Sequence, residues 1–496
     1  MKKPILFACL VLYLIPVFSQ YYNIMDYGAV ADGKTMNTKS IQNAIDRCSE
    51  TGGTVYIPQG TFLSGTIFMK SNVTLHLSSK AVLKASASPG DYPNIFDYLE
   101  KGDSTKIRNP DTRRRCQVGF VVGQNLHKVG IEGSGTIDGS GTTWTGSRVN
   151  DGPDRPNCVM FIYCEDVVIK DFTLKDAVNW AHYYLKCNRV QIKGIKINSI
   201  TMINNDGLDI ESSNVTVSDC IIDSDDDGIV LKSSDREPIE NITITNCQIG
   251  TNCNGIKFGT SSLGGFRNVT ISNCVIHKAS QTVHWFHQER VKDIELPLTV
   301  ISGLALEIVD GGIMENILIN TISMKDVQTP VFIRLADRGR IEKPGEQRPL
   351  PGKIRNVVLS NIIATSHSKM TSSITGQPGY PVENIQLNNI LISSMGRGTA
   401  EEATIPVPDP AKSYPENRAF GYSLPCYGFY VRHARDISFQ NVGFVLRSPD
   451  ARPAYAMEDV ENISVTGRND LDFFVKKQIE KINFTPEDNY QDENRP

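Results

Sequence analysis

Asp206 directly precedes Gly207, and Asp226 and Asp227 directly precede Gly228. If the two glycines mark equivalent points on neighbouring structural units about 4.8 Å apart, three carboxylates crowd one small surface. Like charges so close push at least one pKa upward. Cleavage of a glycosidic bond needs such a group: one protonated carboxyl for the leaving oxygen and one carboxylate for water. Two other readings fit the same residues. Aspartates at chain bends cap main-chain amides, and a cluster of oxygen ligands suits calcium.

The elements that would position these residues are legible as a repeat. Asn or Asp followed by alternating apolar residues returns in EDVVIKDFTL from Glu165, NRVQIKGIKI from Asn188, NVTVSDCIID from Asn214, NITITNCQIG from Asn241 and NVTISNCVIH from Asn268. It continues at Asn316, Asn356, Asn384, Asp436 and Asn462. Val190, Val215, Ile242 and Val269 are spaced by 25, 27 and 27 residues, and Ile317 follows after 48, the length of about two coils. Each phrase alternates as a half-buried strand does. Strands at this interval, without helical periodicity between them, fit the coils of a right-handed parallel β-helix. The asparagines suit its bends, since Asn tolerates left-handed backbone. A second register, Gly207-Leu208-Asp209, Gly228-Ile229-Val230 and Gly255-Ile256-Lys257, aligns the aspartates vertically, with Gly303-Leu304-Ala305 expected two coils further on.

Residues 1–19 read as a signal peptide, with Lys2 and Lys3 before an apolar run. Residues 20–485 form the β-helix and 486–496 a polar tail. Export to the periplasm or outside the cell is expected, with no membrane span. The net charge is −4 and falls to −6 without the two lysines, which argues against nucleic-acid binding. Ten cysteines remain beyond Cys9 and lack zinc-type spacing. Cys220, Cys247 and Cys274, spaced by 27, read as a buried column of thiols. Ile41, Ala44, Ile45 and Cys48 mark a short helix capping the first coil. Asp91 to Arg115 and Gly396 to Cys426 read as insertions.

The chain resembles glycoside hydrolase family 28, which includes polygalacturonases and rhamnogalacturonan hydrolases. The likeness begins at Tyr27-Gly28-Ala29-Val30-Ala31-Asp32-Gly33 and Gly52-Gly53-Thr54-Val55-Tyr56-Ile57-Pro58, and continues at Gly135-Thr136-Ile137-Asp138-Gly139. Asn204-Asn205-Asp206-Gly207 is similar to the family's Asn-Thr-Asp-Gly motif, and Asp226-Asp227-Gly228-Ile229 to its Asp-Asp-Cys-Ile motif. The resemblance implies an inverting hydrolase acting on pectic polysaccharide without a cofactor or metal. Asp226 would be the general acid, and Asp206 and Asp227 would hold and deprotonate water. Trp180 and His182 would wall the sugar site, or be a packed aromatic and a satisfied core histidine.

Two departures bear on the substrate. The family's Gly-His-Gly motif falls at Cys253-Asn254-Gly255, and its Arg-Ile-Lys motif at Ala305-Leu306-Glu307. Glu307 would repel a galacturonate carboxylate there. Lys257 is the leading relocated cation, with Arg334, Arg432 and Arg452 as further options. Asn204 and Asn254 complete the candidate substrate contacts. The expectation is weak action on plain polygalacturonate and better action on rhamnogalacturonan, by a monomer. Competing readings are a hydrolase of a less acidic glycoside, a non-catalytic glycan-binding β-helix and a calcium-dependent lyase.

Overall fold

The computed structural model describes residues 21–98, 107–147, 154–281, 300–343, 345–467, 473–475 and 482–486. The proposed signal peptide and the polar tail beyond Pro486 lie outside the described residues. The described residues form a right-handed parallel β-helix in which each coil pairs with those before and after it. The marker residues stack as one continuous column: Val167, Val190, Val215, Ile242, Val269, Ile317, Val357, Ile385, Ile437 and Ile463.

The ladder's alternation explains the solenoid. Val215 and Val217 are buried while Asn214 and Thr216 face solvent, and the pattern repeats at Ile242, Ile244, Val269 and Ile271. Burying each such side chain contributes roughly 1.5–3 kcal/mol. Ile244 stacks between Val217 and Ile271, so Ile244→Ala would cost about 2–5 kcal/mol.

One register expectation is corrected. Ile256 pairs directly with Leu304, and Val269 directly with Ile317, so the Gly303 strand lies one coil above Gly255 rather than two. The additional residues fall largely within 282–299, outside the described residues. A coil's sequence length includes its loops, whereas pairing depends only on the strands.

The bends are held by the asparagines. Asn214, Asn241, Asn268, Asn316, Asn356 and Asn384 have φ between 50° and 60°. Each donates its side-chain amide to the residue one coil below, starting with Asn214 to Asn188 at 2.7 Å and Asn241 to Asn214 at 3.0 Å. Left-handed backbone thus aims every amide at the next, as a ladder along the axis. Cys220, Cys247 and Cys274 form the expected buried column, each Sγ 3.2 Å from the carbonyl two residues earlier. The helix Thr38–Ser49 buries Ile41, Ala44, Ile45 and Cys48 against the first strands.

Candidate active site

A glycine column builds the catalytic corner. A Cβ at Gly207 would lie 2.5 Å from the Gly228 carbonyl oxygen, and one at Gly228 would lie 2.7 Å from that of Gly255. Only glycine permits coils to approach this closely. The Gly207 N–H donates to the Asp227 carbonyl at 2.9 Å, and the Gly228 N–H to that of Asn254 at 2.8 Å. Asp206, Asp227 and Asn254 therefore stand in one vertical row, with Asp226 beside it.

All three aspartates line one cavity of about 420 Å³. Asp206 and Asp227 are 4 % exposed, and Asp226 is half-buried, so Asp226 is the most accessible of the three. Asp226 is firmly held: its Oδ1 accepts from the Asp227 N–H at 2.9 Å and its Oδ2 from Asn204 Nδ2 at 3.5 Å. Its own N–H donates to Asn205 Oδ1 at 3.1 Å, and Asn205 Nδ2 donates to the Ser199 carbonyl at 2.5 Å. The Asn that replaces Thr in the motif thus ties one coil to the next.

The two buried carboxyls are driven apart. Burial and then the charges of Asp209, Asp226 and Asp227 hold Asp206 well above the usual carboxylate range, against the pull of Lys232. Burial also raises Asp227, but Lys257, the Cys253 thiol and Lys232 bring it down to about 2. The Lys257 ammonium lies 2.9 Å from Asp227 Oδ2, while the Asn254 amide and N–H reach Oδ1 at 2.6 and 3.0 Å. The site thus sets Asp206, pushed towards its protonated form, against an anionic Asp227. Asp226, Asp227 and Cys253 have ligand atoms within 4.8 Å of one another. Asp227's oxygens are already engaged by Lys257 and Asn254, so a cation there would compete with an ammonium.

The remaining expected residues fall in different places. Trp180 lines the cavity, with Arg115 4.8 Å and Lys232 4.7 Å from its ring. His182 is fully buried, bonded through Nδ1 to Tyr184 Oη at 2.8 Å, and burial lowers its pKa to about 3. It alternates inward where Tyr183 faces the cavity side, so it walls no sugar site. Asn254 orients Asp227 and is not among the cavity-lining residues. Lys257 occupies the strand position aligned with Ala305, as the glycine register requires, but its charge is committed to Asp227. Arg334 lies outside the cavity, held by Asp409 at 3.3 Å. Arg432 donates to the Val407 and Pro408 carbonyls, and Arg452 to that of Leu424. These three arginines anchor the 396–426 insertion and do not offer substrate cations. Glu307 is buried, and burial raises it to about 8 although Lys257 opposes this. It is mainly neutral at pH 7, which removes the expected repulsion.

Sequence reasoning missed several groups. Asp209 and Glu211 share the outward parity of the Asp206 strand, a signal that was available. Lys232 lies 3.1 Å from Asp209, and burial pushes Asp209 up to about 7 although Lys232 draws it back. Glu211 accepts from the Ser234 N–H and hydroxyl at 2.6 and 2.5 Å. Arg115, Tyr414, Glu416 and Arg418 arrive from the two insertions and Arg340 from the loop after the strand Ile313–Leu335, destinations that no local pattern encodes.

A model of glycosyl hydrolases family 28 matches residues 48–411. A probable polygalacturonase of Vitis vinifera is 33% identical over 221 residues, covering 42% of this chain and 44% of that relative. An exo-poly-alpha-D-galacturonosidase of Dickeya chrysanthemi is 37% identical over 122 residues, covering 24% of this chain and 19% of the relative. The matched stretches thus span less than half the length of either curated relative. The family 28 exopolygalacturonase structure of Yersinia enterocolitica superposes with a TM-score of 0.65 at 18% identity, over 90% of this chain and 78% of that one. That likeness speaks for the fold. With a family match over most of its length, the chain belongs to glycosyl hydrolase family 28.

Proposed function

We propose that the chain hydrolyses a glycosidic bond in a galacturonate-bearing pectic chain, with inversion at the anomeric carbon and after export from the cell. The observation that carries this is that Asp206, Asp226 and Asp227 line one cavity, with Asp226 the most accessible and Asp227 held anionic by Lys257. Asp226, the accessible member, gives its proton to the leaving oxygen. Asp227, anionic beside Lys257, takes the proton of the attacking water. Asp206, pushed towards its protonated form by burial and its neighbours' charges, orients that water by hydrogen bonding. Atoms balance: one C–O bond breaks, one forms to water, and a proton passes from Asp226 to the leaving sugar as another reaches Asp227.

With Glu307 neutral, the case against a uronate weakens, and Arg115, Lys232, Arg340 and Arg418 line the cavity, although Lys232, Arg340 and Arg418 are also paired with Asp209, Asp111 and Glu416. The names of the relatives point the same way. We therefore favour polygalacturonan over rhamnogalacturonan, reversing the expectation from sequence. The test is release of reducing ends from a panel of both polymers, with proton NMR of the first-formed anomers. New reducing ends with inverted configuration are expected. No release from either polymer, or retention, overturns the reading.

A further inference from the structure

The cations around the cavity are not equivalent. Among the described residues five line it: Arg115, Lys232, Lys257, Arg340 and Arg418. Three of them face a carboxylate of the same cavity. Lys257 meets Asp227 at 2.9 Å, Arg340 meets Asp111 at 2.6 Å and Arg418 meets Glu416 at 2.5 Å. Such pairs offer a substrate little net charge. Lys232 also has a partner, Asp209 at 3.1 Å, but Asp209 is fully buried, and burial pushes it up to about 7 although Lys232 draws it back. It therefore offsets the ammonium only in part. An ammonium also carries three N–H donors, and contact with one carboxyl oxygen leaves others for the cavity.

Lys232 and Arg115 meet on one side chain. Lys232 Nζ lies 4.7 Å and Arg115 Cζ 4.8 Å from the centre of the Trp180 ring, which holds both heads by cation–π attraction. The three groups take a defined side of the catalytic corner. His182, two residues after Trp180, pairs with Leu208, Leu208 with Ile229, Ile229 with Ile256 and Ile256 with Leu304. Trp180 thus precedes the coils of Asp206 and Asp227 along the axis, whereas Ala305 and Glu307, where the family's Arg and Lys would stand, follow them. Lys232 spans the interval. From the coil of Asp227 it reaches the Trp180 ring, and its charge opposes the effect of burial on both Asp206 and Asp227.

We propose that Lys232 and Arg115, seated against Trp180, form a subsite for the carboxylate of a uronate ring beside the scissile bond. The charge requirement then falls on the opposite side of the catalytic coils from the strand that carries Ala305 and Glu307. The inference rests on the galacturonate reading above and deepens it by naming the groups that select the acid. Arg115 supplies a planar fork matched to both carboxylate oxygens, and Lys232 a point charge close to the reacting bond. Trp180 acts as the support that holds the two cations in place.

The test is calorimetric binding of trigalacturonate and of its carboxyl-reduced, neutral counterpart to the full-length Asp226→Asn variant. In that background Arg115→Gln is compared with the double change Lys232→Gln and Asp209→Asn, which removes the ammonium without leaving Asp209 buried beside no cation. The parent variant should prefer the acidic trisaccharide. Each change should cost about tenfold or more on the acidic ligand, the worth of a charge-assisted hydrogen bond, and less than about threefold on the neutral one. Arg115→Lys and Lys232→Arg keep the charges and should retain most of the preference. No acid preference in the parent, a preference that survives both changes, or an equal loss on the two ligands overturns the proposal. The expected pattern, with no reducing ends released by the wild type, leaves the subsite standing and refutes hydrolysis alone. No binding of either ligand counts against both.

Discussion

Lys257→Ala isolates the source of the anionic base. The variant leaves Asp227 buried among Asp206, Asp209 and Asp226 with its nearest cation gone. Removing one partner of a buried ion pair costs roughly 3–5 kcal/mol, and one pKa unit is about 1.36 kcal/mol. Asp227 should therefore climb by roughly two to four units, from about 2 to about 4–6. The acid limb of kcat/KM reports the ionisation of the free enzyme's base, so it should move up by the same amount. At a pH of about 4 the wild-type base is ionised, whereas the variant's is half to one-hundredth ionised, a loss of roughly 2- to 100-fold. At a pH of about 8 this contribution vanishes. The sign for stability is the same: a depressed carboxylate stabilises the fold above its unfolded pKa, and that gain is lost as pH falls towards 2. Lys257→Ala should flatten this acid-side dependence, while Lys257→Arg should preserve much of the wild-type profile. The assay is reducing-end release against pH on acidic and neutral oligosaccharides, and the shift should be equal on both. An unmoved acid limb, or a loss confined to acidic substrates, would refute the pairing argument and restore Lys257 as a substrate cation.

Further outcomes follow from the same structure. Asp226→Asn should lower kcat by at least roughly two to three orders of magnitude while circular dichroism and Tm stay unchanged, because a general acid is lost and no packing is. Glu307→Gln should raise Tm at pH 8 and change it little at pH 4: a raised carboxyl binds its proton more tightly in the fold, so native stability falls as pH climbs from the unfolded value towards 8. In the bend ladder, Asn241→Ala should cost about 1–3 kcal/mol in denaturant melts, since it forfeits two amide contacts and leaves an alanine at φ 60°. Asn241→Gly should cost less if left-handed backbone is the larger part of the effect.

The family, the coil ladder, the asparagine bends, the cysteine column and the capping helix were all legible in the chain. Each is a local pattern repeated at coil spacing, and parallel pairing converts equal offsets from a glycine into vertical neighbours. That is why Asp206, Asp226 and Asp227 could be placed together, and why Lys257 could be aligned with Ala305. What spacing could not supply was the state of those groups. Lys257 was read as a free cation and Glu307 as a repulsive charge, yet burial and mutual proximity join the first to Asp227 and neutralise the second. Nor could a one-dimensional pattern show where the insertions land. Arg334, Arg432 and Arg452 anchor the 396–426 segment because it folds back over their coils, a contact fixed by packing between residues up to 76 positions apart. Ladder position follows from sequence because each strand's neighbours are set by the repeat. Charge state and groove shape depend on which distant segments exclude water, and only the tertiary structure decides that.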